Sequence, residues 1–364
     1  MENANHRTSG SSNSSCTDLQ LKESMYIMAA TLYSIIFLLG VVGNGVIIWI
    51  TGFKMTKTIS TVWFLNLAIA DFIFVAMRIF SVVREMMQYQ WPFGRMVCRL
   101  TYFVKYLNMF SSVFILMVIS IDRCVLVNYP VFCRKHRTVK TSSVAISVVW
   151  AAAILLSSPY MIFTDVFLDI KNNQTKCTYT FSNGDINYKS REVLILYIVR
   201  FIVGFVVPFV VITVSYVTIG WKVKGKNWAK TSRMFKIILI TMVAFFICWL
   251  PYHIFTFLKR SSLPKCHLLL GYRLAASLAY FNSCLNPILY FLVGFCGRRN
   301  FPCSLLSVLK NAFSEDSEKS SDSQSSKVSI QLNKYTSQRR LFQTGFWQQD
   351  RYKIGTSCKD NLQF

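Results

Sequence analysis

The chain has 364 residues, is 53% hydrophobic with a mean hydropathy of +0.39, and carries 40 Lys and Arg against 16 Asp and Glu, a formal net charge of +24. That apolar content excludes an ordinary soluble domain and points to a membrane protein. The charge does not point to a nucleic-acid partner, because the basic residues gather in the tail and in alternate short connections between apolar stretches, as the positive-inside bias requires.

Residues 1–24 are polar and rich in Ser and Asn, with an N-glycosylation sequon at Asn13-Ser14-Ser15. No signal peptide is visible there, so the first apolar stretch is expected to act as its own insertion signal. Apolar stretches follow at 25–51, 61–83, 100–121, 141–163, 193–220, 237–258 and 271–293. Each is long enough to cross about 30 Å of hydrocarbon as a helix. The predicted fold is an all-α membrane protein, a seven-transmembrane helix bundle with the termini on opposite sides.

Lys54 and Lys57, then Arg134, Lys135, Arg137 and Lys140, then Lys222, Lys224, Lys226, Lys230, Arg233 and Lys236 mark the first, third and fifth connections. These predict an extracellular N-terminus and a cytoplasmic C-terminus. A second sequon, Asn173-Gln174-Thr175, then falls on the outer side with Asn13. The expected organisation is an extracellular glycosylated segment over 1–24, a seven-transmembrane bundle over 25–295, a short membrane-associated segment over 296–312 and a disordered cytoplasmic tail over 313–364. The tail begins with acidic, serine-rich sequence (314–326) suited to phosphorylation. Residues 334–364 mix basic and aromatic side chains and suggest no function.

Four ionisable residues interrupt the spans: Asp71, Arg78, Lys105 and Arg200. Charge at membrane depth is costly and usually faces a functional interior. Arg78 stands seven residues from Asp71 on the same helical face, and Lys105 precedes Asn108 and Ser112 at i+3 and i+7. Arg200 lies about two turns inside the outer end of the fifth span. The three cations are expected to converge about 10 Å below the outer surface, with no carboxylate in the outer half to balance them. Such a pocket recruits an anion; the alternative for each cation is snorkelling to headgroups. Pro208, Pro251 and Pro287 lie inside helices, where they remove backbone hydrogen bonds and act as hinges or static kinks.

Short signatures sit at matching points of the spans: Gly43-Asn44; Leu67-Ala68-Ile69-Ala70-Asp71; Asp122-Arg123-Cys124; Trp150; Pro208 and Tyr216; Phe245-Phe246-Ile247-Cys248-Trp249-Leu250-Pro251-Tyr252; Asn282; and Asn286-Pro287-Ile288-Leu289-Tyr290. Together, over roughly 25–300, they resemble the rhodopsin-like (class A) G protein-coupled receptors. The segments Trp63-Phe64-Leu65-Asn66, Trp91-Pro92-Phe93-Gly94, His136-Arg137-Thr138, Arg200-Phe201-Ile202-Val203-Gly204-Phe205, Pro251-Tyr252-His253 and Phe281-Asn282-Ser283-Cys284 are similar to the chemoattractant branch, nearest the chemerin and formyl-peptide receptors.

The resemblance implies a bridge between Cys98 and Cys177. Cys16 and Cys266 then remain on the outer side, as a second bridge or as other thiols. It implies an activation switch of Asp122, Arg123, Tyr216, Phe245, Trp249, Pro251, Asn286, Pro287 and Tyr290, in which a carboxylate holds Arg123 at rest. It implies a sodium pocket of Asp71, Asn108, Ser112, Asn282 and Asn286, or a hydrated network in its place. Arg200 matches the arginine with which this branch reads a ligand carboxylate, and its planar fork suits that task. Lys105 and Arg78 would add charge, with Tyr106, Trp91, Tyr252, His253, Arg273 and Tyr280 as walls.

Four departures are expected to matter. Tyr106 stands where formyl-peptide receptors carry an acid. The second span lacks its usual proline near Met77-Arg78-Ile79, so its outer end should take another course. Residues 1–24 contain no Tyr for a sulfotyrosine site. Gly297 and Pro302 disturb the short helix after the seventh span, which Cys296 and Cys303 would hold at the membrane if palmitoylated. The expected partners are an extracellular peptide or carboxylated lipid, a heterotrimeric G protein of the inhibitory type, membrane lipids, and arrestin and receptor kinases at the serine-rich tail. The expected chain is not an enzyme and has no cofactor beyond the sodium ion. The rivals are a non-signalling scavenger of the same fold and, from another class, a membrane transporter.

Overall fold

The computed structural model describes residues 19–169, 173–179, 191–223, 233–259 and 265–295. Helix α1 (Leu19–Trp49) continues through a π turn (Ile50–Lys54). The second rod is α2 (Ile59–Ala76) followed by α3 (Arg78–Met86), and the third is α4 (Gly94–Asn128). A short α5 (Pro130–His136) leads into α6 (Val139–Ile162). The fifth rod joins α7 (Arg191–Phe201), a π turn (Ile202–Val206) and α8 (Val207–Val223). Helices α9 (Arg233–Leu258) and α10 (Lys265–Phe295) complete the bundle. Six of these rods are long and apolar enough to cross a membrane. The seventh, α10, has 31 residues and packs against α9, α1 and α2.

Helix α4 is the central post. It contacts α2, α6, α8 and α9 and buries residues along most of its length. The outward faces carry Leu38, Val42, Val148, Leu155, Val214 and Ile247, all exposed. Lipid tails are as apolar as these side chains, so their exposure carries no hydrophobic cost in a bilayer. The interior holds the polar signatures instead: Asn44 donates to the Gly40 and Ser283 carbonyls at 2.9 Å each, and Trp150 Nε1 donates to Asn66 Oδ1 at 3.1 Å.

Local chemistry explains the two interrupted rods. Between α2 and α3 no proline is present, yet the helix breaks at Met77. Arg78 Nε donates to the Phe74 carbonyl at 3.4 Å, so a side chain competes for an oxygen of the i→i−4 ladder. In the fifth rod Pro208 has no N–H to offer, and the ladder ahead of it widens until the Val207 N–H bonds the Ile202 carbonyl. Gly204 in that π turn is a close-approach site: a Cβ there would stand 2.7 Å from Met109 Cε.

One end of the bundle carries an antiparallel hairpin that helical periodicity did not announce: β1 (Thr164–Asp169) pairs with β2 (Gln174–Tyr179), with Val166 opposite Cys177. Its β-branched and aromatic residues suit extended backbone. The Cys98–Cys177 disulfide ties β2 to the start of α4. The Trp91 N–H donates to the Thr175 carbonyl at 2.8 Å, and Arg99 Nε to the Thr164 carbonyl at 3.1 Å. Asp165 accepts from Arg95 at 2.7 Å and Arg99 at 3.2 Å. Burial raises the Asp165 pKa, but the Val166 amide and these two guanidiniums outweigh it and hold the carboxyl below its ordinary value. Asn173 is exposed in the hairpin turn at φ 47°. Asn13, Cys16, the Cys266 side chain, Cys296, Cys303 and the segments 296–312 and 313–364 lie outside the described residues.

Candidate functional site

At the disulfide end the helices enclose a cavity of about 90 Å³. Arg78 reaches it from α3, Lys105 and Tyr106 from α4, Tyr197 and Arg200 from α7, Tyr252 from α9, and Arg273 and Tyr280 from α10, while Tyr179 of β2 covers it. The expectation that the three cations share one pocket is met in geometry. A wider vestibule of about 500 Å³ adjoins it, lined by Tyr26, Phe167, Asp169, Lys176 and Leu268 among others, and the two share Tyr89, Thr178, Lys259, Leu269 and Arg273.

Arg200 is only 1% exposed, and Lys105 only 6%. Both sit against tyrosines rather than acids. Arg200 Nη1 donates to the Tyr106 hydroxyl at 2.9 Å; Tyr106 is 2.6 Å from the Tyr179 hydroxyl and 3.3 Å from that of Tyr252. Lys105 Nζ donates to the Tyr252 hydroxyl at 2.7 Å, which holds it inward rather than snorkelling. The Arg200 guanidinium lies 5.0–5.2 Å from the ring centres of Tyr197, Tyr106 and Tyr252. Phenols and ring faces stabilise a cation but do not neutralise it. Arg200 Nε and Nη2, both buried, have no hydrogen-bond partner among the described residues. A buried N–H of a charged group left unmet is costly, so these two donors are poised for an acceptor.

The expectation that the outer half holds no carboxylate is wrong. Glu85, 1% exposed, lies two residues beyond the apolar stretch that ends at residue 83. It pairs with Arg273 at 2.7 Å and Arg84 at 2.6 Å, so this single acid is already occupied. Arg273, expected as a wall, is thereby a tie between α10 and α3, and Nη1 also donates to the Met25 carbonyl of α1 at 3.3 Å. Two other wall residues are displaced. Trp91 lies outside the cavity: its ring packs 5.2 Å from Phe93 beside the disulfide, and its Nε1 donates to the Gly94 carbonyl at 2.9 Å. His253 lies behind the wall, against Phe201 at 5.5 Å and Phe205 at 5.2 Å. It follows Tyr252 by one residue, about 100° around α9, so only one of the two can face the cavity.

Sequence reasoning missed Lys259, which lines both spaces and lies just past α9. Burial first, then the positive charges of Lys105, Arg200 and Arg84, lower its pKa to about 7 against the opposing Tyr252.

Deeper in the bundle Asp71 is fully buried. Asn108 Nδ2 donates to Oδ1 at 2.8 Å and Asn286 Nδ2 to Oδ2 at 2.7 Å. Ser112 Oγ lies 3.3 Å from Asn108 Nδ2, and Ser283 Oγ 3.4 Å from Asn108 Oδ1. The two amides turn their N–H groups to the carboxylate, and the oxygens beside it that suit a hard monovalent cation are the Ser112 and Ser283 hydroxyls and Asn108 Oδ1. Asn282 is buried without a hydrogen bond to Asp71 among the described residues, and its neighbour Ser283 joins the network instead.

Phe245 and Trp249 pack at 5.8 Å on the proline-bearing α9, and a Cβ at Gly43 would stand 3.1 Å from the Pro287 ring. Tyr290 packs edge-on against Phe64 at 5.0 Å. At the far end Arg123 Nη2 donates to Ser60 Oγ at 3.1 Å, and Tyr216 is near enough to feel its charge. Asp122 is not held mainly by Arg123, whose Nε is 3.8 Å away. Its partner is Arg137, in a fork of 2.8 and 3.0 Å. Asp122 and Arg123 are consecutive on one helix and point about 100° apart, whereas Arg137 arrives from the turn after α5.

Residues 43–290 match the family model of the 7 transmembrane receptor (rhodopsin family). Formyl peptide receptor 2 of Mus musculus is 36% identical over 325 residues, covering 86% of this chain and 92% of the relative. Chemerin-like receptor 1 of Rattus norvegicus is 38% identical over 311 residues (81% and 82%), and chemerin-like receptor 2 of Homo sapiens 37% over 301 (81% and 84%). With its seven rods, cross-linked hairpin and polar core, the chain belongs to the rhodopsin-like G protein-coupled receptors, in their chemoattractant branch: a multi-pass plasma-membrane receptor and not an enzyme.

Proposed function

We propose that this receptor binds an extracellular chemoattractant-type ligand that is anionic, a peptide with a free carboxylate ahead of a carboxylated lipid, and signals through a heterotrimeric G protein of the inhibitory type. The observation that carries the reading is Arg200: a buried guanidinium with two N–H donors unmet among the described residues, in a cavity whose one acid is occupied elsewhere. A carboxylate accepts such a pair of donors bidentately. In this reading the disulfide end faces outward, and ligand entry disturbs the Tyr106–Tyr252–Lys105 chain that rests on α9 above Trp249 and Pro251. Motion of α9 then frees Arg123 for the G protein. Asp71, Ser112 and Asn108 would hold a sodium ion, which would supply the charge that balances a buried carboxylate. Arrestin and receptor kinases are assigned to the serine-rich tail.

The experiment is G protein activation in cells expressing the wild type, Arg200→Ala and Arg123→Ala, challenged with acidic peptides, their C-terminally amidated versions and carboxylated lipids. The expected result is a wild-type response that amidation weakens and Arg200→Ala abolishes, with Arg123→Ala binding ligand without signalling. Surface expression with ligand uptake and no G protein response would replace this reading with a scavenger.

A further inference from the structure

We infer that the buried end of the ligand carries two acidic groups, the second bound by Arg78. This deepens the reading of Arg200 as the carboxylate reader and rests on it. Arg78 is 2% exposed and lines the same cavity from a different wall. Its hydrogen-bond partners are neutral: the Phe74 carbonyl on Nε at 3.4 Å and Ser81 Oγ on Nη1 at 3.3 Å. Its guanidinium lies over the rings of Phe74 and Tyr280 at 4.5 and 4.8 Å. Nη2 is buried with no hydrogen-bond partner among the described residues. Glu85, seven residues along the same rod, is taken by Arg84 and Arg273. A buried guanidinium met only by dipoles and ring faces keeps its charge uncompensated, which costs several kcal/mol unless an anion joins it.

The two arginines offer their unmet N–H groups from different walls of the cavity, α3 and α7. Arg200 faces Tyr106, Tyr197 and Tyr252, whereas Arg78 faces Phe74 and Tyr280, and no ring is common to the two. Lys105 stands between them, with Nζ 4.4 Å from the Tyr252 ring centre and 5.3 Å from that of Tyr280. The arrangement is a row of cations with a fork at each end. The cavity of about 90 Å³ has room for the last residue of a chain and little more, while the adjoining space of about 500 Å³ can take the residues before it. Both acids therefore belong on one residue. A peptide ending in Asp or Glu supplies them, its terminal carboxylate on Arg200, its side-chain carboxylate on Arg78 and Lys105 between.

The test uses the purified full-length receptor and four tetrapeptide probes: Ala-Phe-Leu-Asp and Ala-Phe-Leu-Asn, each with a free and an amidated C-terminus. Thermal unfolding is followed against probe concentration into the millimolar range at constant ionic strength. Ligand that binds only the folded state raises the midpoint. The free Asp probe should reach half its effect at a concentration on the order of tenfold below that of the free Asn probe, the worth of one extra charge-assisted pair. Arg78→Gln should erase that difference while the Asn probe still stabilises, and Arg78→Lys should keep part of it. Equal potency of the two free probes on the wild type, a comparison that needs no variant to fold, overturns the second subsite and leaves Arg200 as sole reader. A difference that survives Arg78→Gln moves the subsite elsewhere and overturns its assignment to Arg78. Stabilisation that ignores amidation or Arg200→Ala, or none by any probe, overturns the carboxylate reading and this proposal with it.

Discussion

At the far end of the bundle Asp122 meets Arg137 through a two-bond fork and sits 3.8 Å from Arg123, so one acid is shared between two guanidiniums within reach. In the cavity at the disulfide end Arg78, Lys105 and Arg200 lie among tyrosines, and the acid among its described lining residues, Glu85, is taken by Arg84 and Arg273. The first arrangement is an internal balance that a change of partner can tip. The second is an excess that only something from outside can balance. In the proposed reading the surplus selects the ligand, and the closed pair reports it by opening.

The largest effect is expected at the surplus. Arg200→Ala should weaken an acidic peptide ligand on the order of 100-fold, about 3 kcal/mol, since it removes a desolvated fork; the half-maximal concentration for G protein activation reads this. A change under threefold would place the carboxylate elsewhere. Next comes the occupied acid. Glu85→Gln leaves the buried Arg273 and the half-buried Arg84 without their counter-ion and should cost roughly 3 kcal/mol of stability. Reduced surface staining and a lower unfolding temperature would register it, and Glu85→Gln with Arg273→Met should recover much of the loss.

A smaller effect is expected at the closed pair. Arg137→Ala returns Asp122 to Arg123 alone and should lower basal G protein activation by a factor of about five, near 1 kcal/mol. Asp122→Asn should raise it. Opposite signs for these two variants are the sharpest check that Asp122 is shared.

The smallest effect concerns Lys259, whose pKa of about 7 makes it charged below neutrality and neutral above. A lysine depressed in this way adds positive charge to the vestibule as pH falls from 8 to 6. Potency of an acidic peptide should rise about threefold over that interval, and Lys259→Gln should flatten the profile.

Much of this was legible in the chain. The seven stretches followed from hydropathy, and the interior placement of Asp71, Arg78 and Lys105 from helical spacing, because bilayer thickness and the 3.6-residue turn act on local sequence. Arg200 was placed by motif and depth. The errors have a common physical source. Glu85 was lost because an apolar-run criterion stops at the first charges of Arg84-Glu85, although Glu85 is buried and tied to Arg273 of α10. Trp91 and His253 were assigned to the pocket by motif, but packing against the disulfide and against α7 turned them away. Arg137 was seen as a signature without a role, since its partner lies 15 residues back across a turn.

The sequence by itself determined that this chain spans a membrane seven times, that it belongs with the rhodopsin-like receptors, and that three cations lie at membrane depth. Those facts depend on local composition and periodicity, which a chain carries before it folds. Only the tertiary structure decided which charges are neutralised and which meet neutral partners alone. Pairing between Glu85 and Arg273, between Asp122 and Arg137, and between Lys105 and Tyr252 depends on which helices face each other and at what height, and side-chain bonds form or fail within about an ångström.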